Sequence, residues 1–225
     1  METLKNLLHA NSVFASLTPA ELTVLAQLAS SRSYEKDETV ILYGDVWSYL
    51  FLVSKGSVNA VKESGEGRSL IVTTFLTGDL FWGLAFFQDN APMPVTLKAR
   101  EASRLHLWSR ETIAPIFERN GRAGWELCRL MAGRMQRASA ILEEMAFHPV
   151  AGRLARLLLD HFEMAGDAAI SRHLTLDEMA ARIGSTREMV CRALYGFSDK
   201  KLIEVTRTEF ILTDRQGLFR LVENG

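Results

Sequence analysis

The chain has 225 residues, 48% of them hydrophobic and 24% charged, with a net charge of −1. This is the composition of an ordinary globular protein, long enough for one large core or two smaller ones. It argues against wholesale binding of polyanions, so any nucleic-acid surface must be local. No apolar run of about 18 residues occurs, and the polar start Met1-Glu2-Thr3-Leu4-Lys5 lacks the pattern of a signal peptide. A cytoplasmic protein with no membrane partner is expected. Cys128 and Cys191 are too few and too far apart for a cysteine zinc site or an iron–sulfur cluster, and the five histidines show no metal-ligand spacing. With no glycine-rich phosphate loop and no nucleophile motif either, an enzyme is not expected.

Residues 1–30 show helical spacing. Leu4, Leu7 and Leu8 are followed by Thr18-Pro19, which opens a second helix carrying Leu22, Leu25, Ala26 and Leu28. Thr18 is placed to cap it, with Pro19 in the first turn and Glu21 reaching back. From about Arg32 to Trp108 the period falls to two. The short runs Thr39–Tyr43, Tyr49–Val53, Ser57–Lys62, Ser69–Phe75 and Arg104–Trp108 predict an antiparallel barrel or roll, with Ser64-Gly65-Glu66-Gly67 as a hairpin turn.

Ser109 to Met145 predicts one long helix. Gly124, Cys128, Met131, Met135, Ala138, Leu142 and Met145 recur at steps of four and three, flanked by Arg129, Arg134 and Arg137. That spacing is the seam of a parallel coiled coil between two copies of the chain, and small, soft residues make such a seam adjustable. Packing on its own domain is the alternative. His148-Pro149 breaks the helix, and a further helix carries Val150, Leu154, Leu157, Leu158 and Phe162 to its end near Gly166.

Two capping boxes follow. Thr175-Leu176-Asp177-Glu178 opens a short helix ending at Gly184, and Ser185-Thr186-Arg187-Glu188 opens another running to Phe197. Two short helices joined through glycine are a helix-turn-helix. Val190, Ala193, Leu194 and Phe197 face the core, leaving Arg187, Glu188, Cys191, Arg192 and Tyr195 outside. Arginine suits the paired acceptors of guanine, and glutamate accepts from the amino group of cytosine. Glu188 has a second reading as the partner in its own capping box. Leu202–Thr206 and Thr208–Thr213 alternate around Arg207 as a β-hairpin wing.

These segments resemble the CRP/FNR superfamily of bacterial transcription regulators. The resemblance rests on Leu42-Tyr43-Gly44-Asp45, Tyr49–Val58, Thr77-Gly78-Asp79-Leu80-Phe81, Gly152-Arg153-Leu154-Ala155 and Gly184–Arg192. It implies an α+β chain with an N-terminal β-roll sensor over 1–108, a dimerisation helix over 109–148 and a winged helix-turn-helix over 149–225. It also implies a homodimer on an inverted repeat. Arg187, Glu188 and Arg192 would read TGTGA-like half-sites, with Ser185, Thr186 and Cys191 beside them; the FNR branch's TTGAT-like halves, which Glu188, Cys191 and Arg192 would meet, are the alternative, and both share an inner GA. The partners implied are double-stranded DNA, a second copy, a small-molecule effector and, as a further candidate, RNA polymerase.

The resemblance fails at the effector clamp. Gly83 stands where cyclic-nucleotide binders of the family carry a glutamate, and Met93-Pro94 stands where they carry an Arg-Ser pair, so cAMP is not expected to bind. Ser139 alone matches a helix position that touches the base. The expected pocket is apolar, formed by Phe81, Trp82, Phe86 and Met93 with Trp125 and Ser139 on the adjoining helix. Two readings stay open: a site for an apolar ligand or haem, for which His106 is a candidate ligand, or a core filled by its own side chains. Ligand-independent DNA binding and a small-molecule module without DNA function are the competing functions.

Overall fold

In the computed structural model, residues 2–65, 68–166, 169–171 and 174–223 are described. Glu66 and Gly67 of the expected hairpin turn lie outside them. The chain folds as two compact units, one of residues 1–62 and 72–137, the other of 63–71 and 138–225.

Helices α1 (Glu2–Ala10) and α2 (Pro19–Leu28) come first. The cap forms in both directions: Thr18 accepts the Glu21 N–H, and the Glu21 carboxylate accepts the Thr18 N–H at 2.7 Å. Eight strands follow: β1 (Ser30–Tyr34), β2 (Thr39–Ile41), β3 (Tyr49–Lys55), β4 (Ser57–Glu63), β5 (Ser69–Leu76), β6 (Leu80–Trp82), β7 (Thr96–Ala99) and β8 (Ser103–Ser109). They form two four-stranded sheets, ordered β1-β8-β3-β6 and β2-β7-β4-β5. Strands β1, β6 and β7 escape the alternation rule because they are short or half-polar; β1 reads Ser-Ser-Arg-Ser-Tyr.

Alternation along β3 and β8 sorts side chains between two cores. Phe51, Val53, Leu105 and Leu107 point into the roll with Val58, Phe75, Phe81, Met93 and Leu97. Leu50, Leu52 and Trp108 point outward, beneath Leu4, Leu8, Leu22 and Leu25 of the N-terminal helices. The Trp108 indole N–H donates to the Leu25 carbonyl at 2.8 Å, fastening that cover.

The expected single helix after the roll is two: α3 (Arg110–Arg119) and α4 (Gly121–Phe147). The physical reason is Asn120, which ends α3 outside helical geometry and accepts the Ala123 N–H at 3.0 Å, starting α4. The Asn-Gly pair is a turn signal within an otherwise periodic stretch. Ala123 and Leu127 of α4 are buried, Leu127 in the core shared with the N-terminal helices.

Past Pro149, the N-cap of α5 (Val150–Ala165), the second unit builds its own core. It contains β9 (Ala169–Ser171), α6 (Leu176–Ile183), α7 (Arg187–Asp199), β10 (Ile203–Val205), β11 (Glu209–Leu212) and α8 (Arg215–Glu223). The wing hairpin β10–β11 gains β9 as a third strand. Helix α8, not expected from the sequence, packs on α5, and Gly152 is the contact point. A Cβ there would stand 2.8 Å from the Leu221 carbonyl oxygen, too close for any side chain.

Candidate DNA-reading surface and sensor roll

Helices α6 and α7 are joined by Gly184, Ser185 and Thr186. Gly184 sits in left-handed conformation at φ +61°, which glycine adopts without strain. Thr175 caps α6 by accepting the Glu178 N–H at 3.1 Å. The cap of α7 differs from expectation. Thr186, not Ser185, holds the cap and accepts the Met189 N–H at 3.3 Å. The third helical residue is therefore Met189, and Glu188 is no capping-box partner. Among the described residues its exposed carboxylate has no hydrogen bond or ion pair.

Val190, Leu194 and Phe197 are buried, with Ala193 packed beside them. Arg187, Glu188 and Arg192 are exposed, and Cys191, Ser185 and Thr186 are half-buried. The structure thus brings the three expected base-reading side chains to the N-terminal end of one solvent face. Arg187 is not idle there: its guanidinium pairs with the Asp177 carboxylate of α6 at 3.1 Å, both side chains about two-thirds exposed.

Most of the apolar seam residues of α4 are exposed. Cys128, Met131, Met135, Ala138 and Leu142 are exposed and Met145 is half-buried, with Met135 76% and Leu142 69% exposed. Trp125, expected in the effector pocket, is 66% exposed on the same helix. Ser139 is exposed too. The remaining pocket residues divide between the two cores of the roll. Phe81 and Met93 lie inside it, whereas Trp82 and Phe86 belong to the outer core.

The interior is occupied by its own rings. Phe81 stacks on Phe51 with centroids 4.6 Å apart and on Phe75 at 4.7 Å. Where a glutamate would be needed for a cyclic nucleotide, Gly83 leaves no room, because any Cβ would fall on the Trp47 carbonyl. The candidate haem ligand stands elsewhere. His106 alternates with Leu105 and Leu107 and so lies on the outer face of its sheet, away from the Phe51–Phe81 interior.

Sequence reasoning missed Arg134, which was placed among charges flanking the seam. Its guanidinium lies 4.2 Å from the Trp82 ring centroid and 5.0 Å from that of Phe75, and it donates to the Leu80 carbonyl. Burial lowers its pKa to about 10, partly offset by Asp79. The signal that could have found it is its helix position: it is seven residues beyond Leu127, on the same face of α4.

A β-roll followed by a winged helix-turn-helix that presents arginine and glutamate defines a DNA-binding transcription regulator, not an enzyme. The comparisons agree. The cyclic nucleotide-binding domain family model matches residues 31–120, and that of the Crp-like helix-turn-helix domain matches 152–221. The chain belongs to the CRP/FNR family. It is 24% identical over 215 residues to the CRP-like cAMP-activated global transcriptional regulator of Mycobacterium tuberculosis, spanning 92% of this chain and 95% of that one. It is 27% identical over 181 residues to the cAMP-activated regulator Vfr of Pseudomonas aeruginosa, spanning 77% and 85%. Its fold resembles that of the c-di-GMP responsive regulator CLP of Xanthomonas campestris, with a TM-score of 0.76 at 20% identity over 87% of this chain and 99% of that one.

Proposed function

We propose that two copies of the chain, joined along α4, read an inverted repeat of TGTGA-like half-sites, under control of an effector other than cAMP. The observation that carries the DNA reading is the unpaired Glu188 between Arg187 and Arg192 on the exposed face of α7. Arginine pairs with guanine O6 and N7, and a carboxylate free of its own helix can accept from cytosine N4. The dimer reading draws on the exposed seam of α4. A helix of 27 residues is about 40 Å long, and two such seams at coiled-coil spacing exclude water along much of that length. A two-fold dimer sets its recognition helices about 34 Å apart, the spacing of successive major grooves. Selection from randomised duplexes with the purified protein tests this: a two-fold motif with an inner GA step is expected, and recovery of no symmetric motif overturns it.

Exclusion of cAMP is supported by Gly83, which cannot be replaced by a glutamate without moving the Trp47 backbone. The stacked Phe51, Phe75 and Phe81 also support a second reading, a regulator that binds DNA without a ligand and is controlled by its abundance. Gel-shift affinity of the protein as isolated separates the two. Tight specific binding without additives favours the second.

A further inference from the structure

The outer face of the sheet β1-β8-β3-β6 is divided in two. Its apolar end, Leu50, Leu52 and Trp108, is covered by α1 and α2. Its other end is polar and lines a cavity of about 490 Å³ with Thr3, Leu4, Ala26 and Ala29 above it and Ser31, Ser54, Lys55, Arg104 and His106 below. Strand register brings these side chains together: His106 lies opposite both Ser31 and Leu52, and Arg104 lies opposite Lys55.

Three features of this cavity ask for a ligand. Like charges directly across a strand pair repel, so Lys55 opposite Arg104 costs the fold stability. Among the described residues no carboxylate lines the cavity, and neither cation has an ion-pair partner. His106 has its Nδ1 fully buried without a hydrogen-bond partner. Among the described residues the surrounding helices and β1 add no titratable side chain to the lining; Arg104 and the N-terminal ammonium are the charges that act on His106, with Lys55 across the strand pair from Arg104. Burial first, then Arg104, lowers the His106 pKa, a pressure that a bound anion would relieve. The hydroxyls complete the pattern. Ser54 spends its proton on the Arg104 carbonyl at 3.0 Å, leaving its oxygen as an acceptor for a hydroxyl on the ligand, while the Ser31 hydroxyl remains free to donate.

We propose that this cavity binds a phosphorylated sugar or polyol, with Lys55, Arg104 and His106 holding the phosphate. Ser54 and Ser31 would take the hydroxyls, and Leu4, Ala26 and Ala29 would cover the carbon chain. The volume exceeds what inorganic phosphate alone would fill, and the site lies on the outer face of the sheet, apart from the roll interior.

Calorimetry on the full chain with glucose 6-phosphate, inorganic phosphate and glucose tests the assignment. Saturable binding of glucose 6-phosphate is expected, about ten-fold or more tighter than inorganic phosphate, with none for glucose. Arg104→Gln and Lys55→Gln, which each relieve the like-charge repulsion and so should leave the fold intact, should each weaken binding about ten-fold, and Arg104→Lys should restore part of it. The imidazole resonances of His106 should shift on titration. Arg187→Gln should leave binding unchanged. The proposal is overturned by absence of saturable binding to the sugar phosphate, by equal affinity for inorganic phosphate, by binding that survives both cavity substitutions, or by binding lost in Arg187→Gln.

Discussion

Arg134 offers the sharpest test of how helix α4 is fastened to the roll. Replacing it with methionine keeps length and flexibility while removing the charge. Two ring faces within 6 Å are each worth about 0.5–2 kcal/mol to a partly desolvated guanidinium. The hydrogen bond from a charged donor to the Leu80 carbonyl adds about 1.5–3 kcal/mol. Against these stands the burial that lowers the pKa to about 10, a cost the methionine does not carry. Sulfur–aromatic contact returns about 0.3–1.5 kcal/mol. Arg134→Met is therefore expected to lose about 1–2 kcal/mol, and Arg134→Ala more, because it also leaves a void. Arg134→Lys should fall short of wild type, since an ammonium cannot stack as a plane. Urea unfolding followed by tryptophan emission reads the order directly, with Trp82 reporting the local change. If Arg134→Met were as stable as wild type, with emission unchanged, burial of the charge would outweigh its contacts and α4 would be held by its apolar contacts, Leu127 and Leu130 among them.

Four further outcomes follow from the same structure. Glu188→Gln should leave thermal stability unchanged, because Thr186 holds the cap, yet relax base preference within the half-site at a cost of about 1–3 kcal/mol in binding to the preferred sequence, measured by gel shift; Thr186→Ala should do the reverse, costing about 1 kcal/mol of stability. Asp177→Asn releases Arg187 from an exposed, salt-screened pair and should tighten DNA binding about two- to five-fold in fluorescence anisotropy, with no change in unfolding midpoint. Leu142→Glu places a charge in the exposed seam and is expected to yield monomers in sedimentation equilibrium and weaken operator binding; an intact dimer would count against the seam. The pKa of His106 is lowered in the folded protein, so the unfolded chain binds the proton more readily. Stability should fall as pH drops below the ordinary histidine value of about 6.5, and His106→Asn should flatten that slope, read from unfolding midpoints across the acid range.

Much of this molecule is legible in the sequence where one local rule operates alone. The caps at Thr18 and Thr175, the glycine turn at Gly184 and the buried set Val190, Leu194 and Phe197 each follow from spacing within a single helix. Legibility fails where two rules compete or where the deciding partner is distant. Ser185 and Thr186 are both good caps, and only backbone conformation selects Thr186, which in turn frees Glu188. Asn120 interrupts a pattern whose apolar period continues on either side. The requirement for glycine at position 83 arises from the Trp47 carbonyl, and at 152 from that of Leu221, contacts made through tertiary structure. Arg134 is a charged residue on an amphipathic helix: its spacing from Leu127 marks the inner face, but only tertiary structure supplies the Trp82 and Phe75 rings it meets there. Phe81, Trp82, Phe86 and Met93 lie close together in an apolar stretch of sequence and so suggest one lining; the sheet's two faces separate them.

Helix α4 combines two obligations that bear on how such a regulator responds. One face carries Leu127 and Arg134 against the N-terminal helices and the roll, and the other carries Cys128, Met131 and Met135 outward. The inner face is specified by tight contacts: a stacked guanidinium and buried side chains. The outer face is built of flexible methionines and small residues, which tolerate more than one packing register. On the proposed dimer, a change within the roll that shifts Trp82 or Phe75 moves Arg134 with it, and the adjustable seam yields before the rigid inner contacts do. Response would then depend on the difference in seam packing between two registers, a quantity of a few kcal/mol at most. Stiffening the seam with Met131→Ile and Met135→Ile should therefore strengthen dimerisation while blunting any difference in operator affinity between effector-free and effector-bound protein. If that difference persisted unchanged in the stiffened protein, the signal would have to travel by a route other than α4.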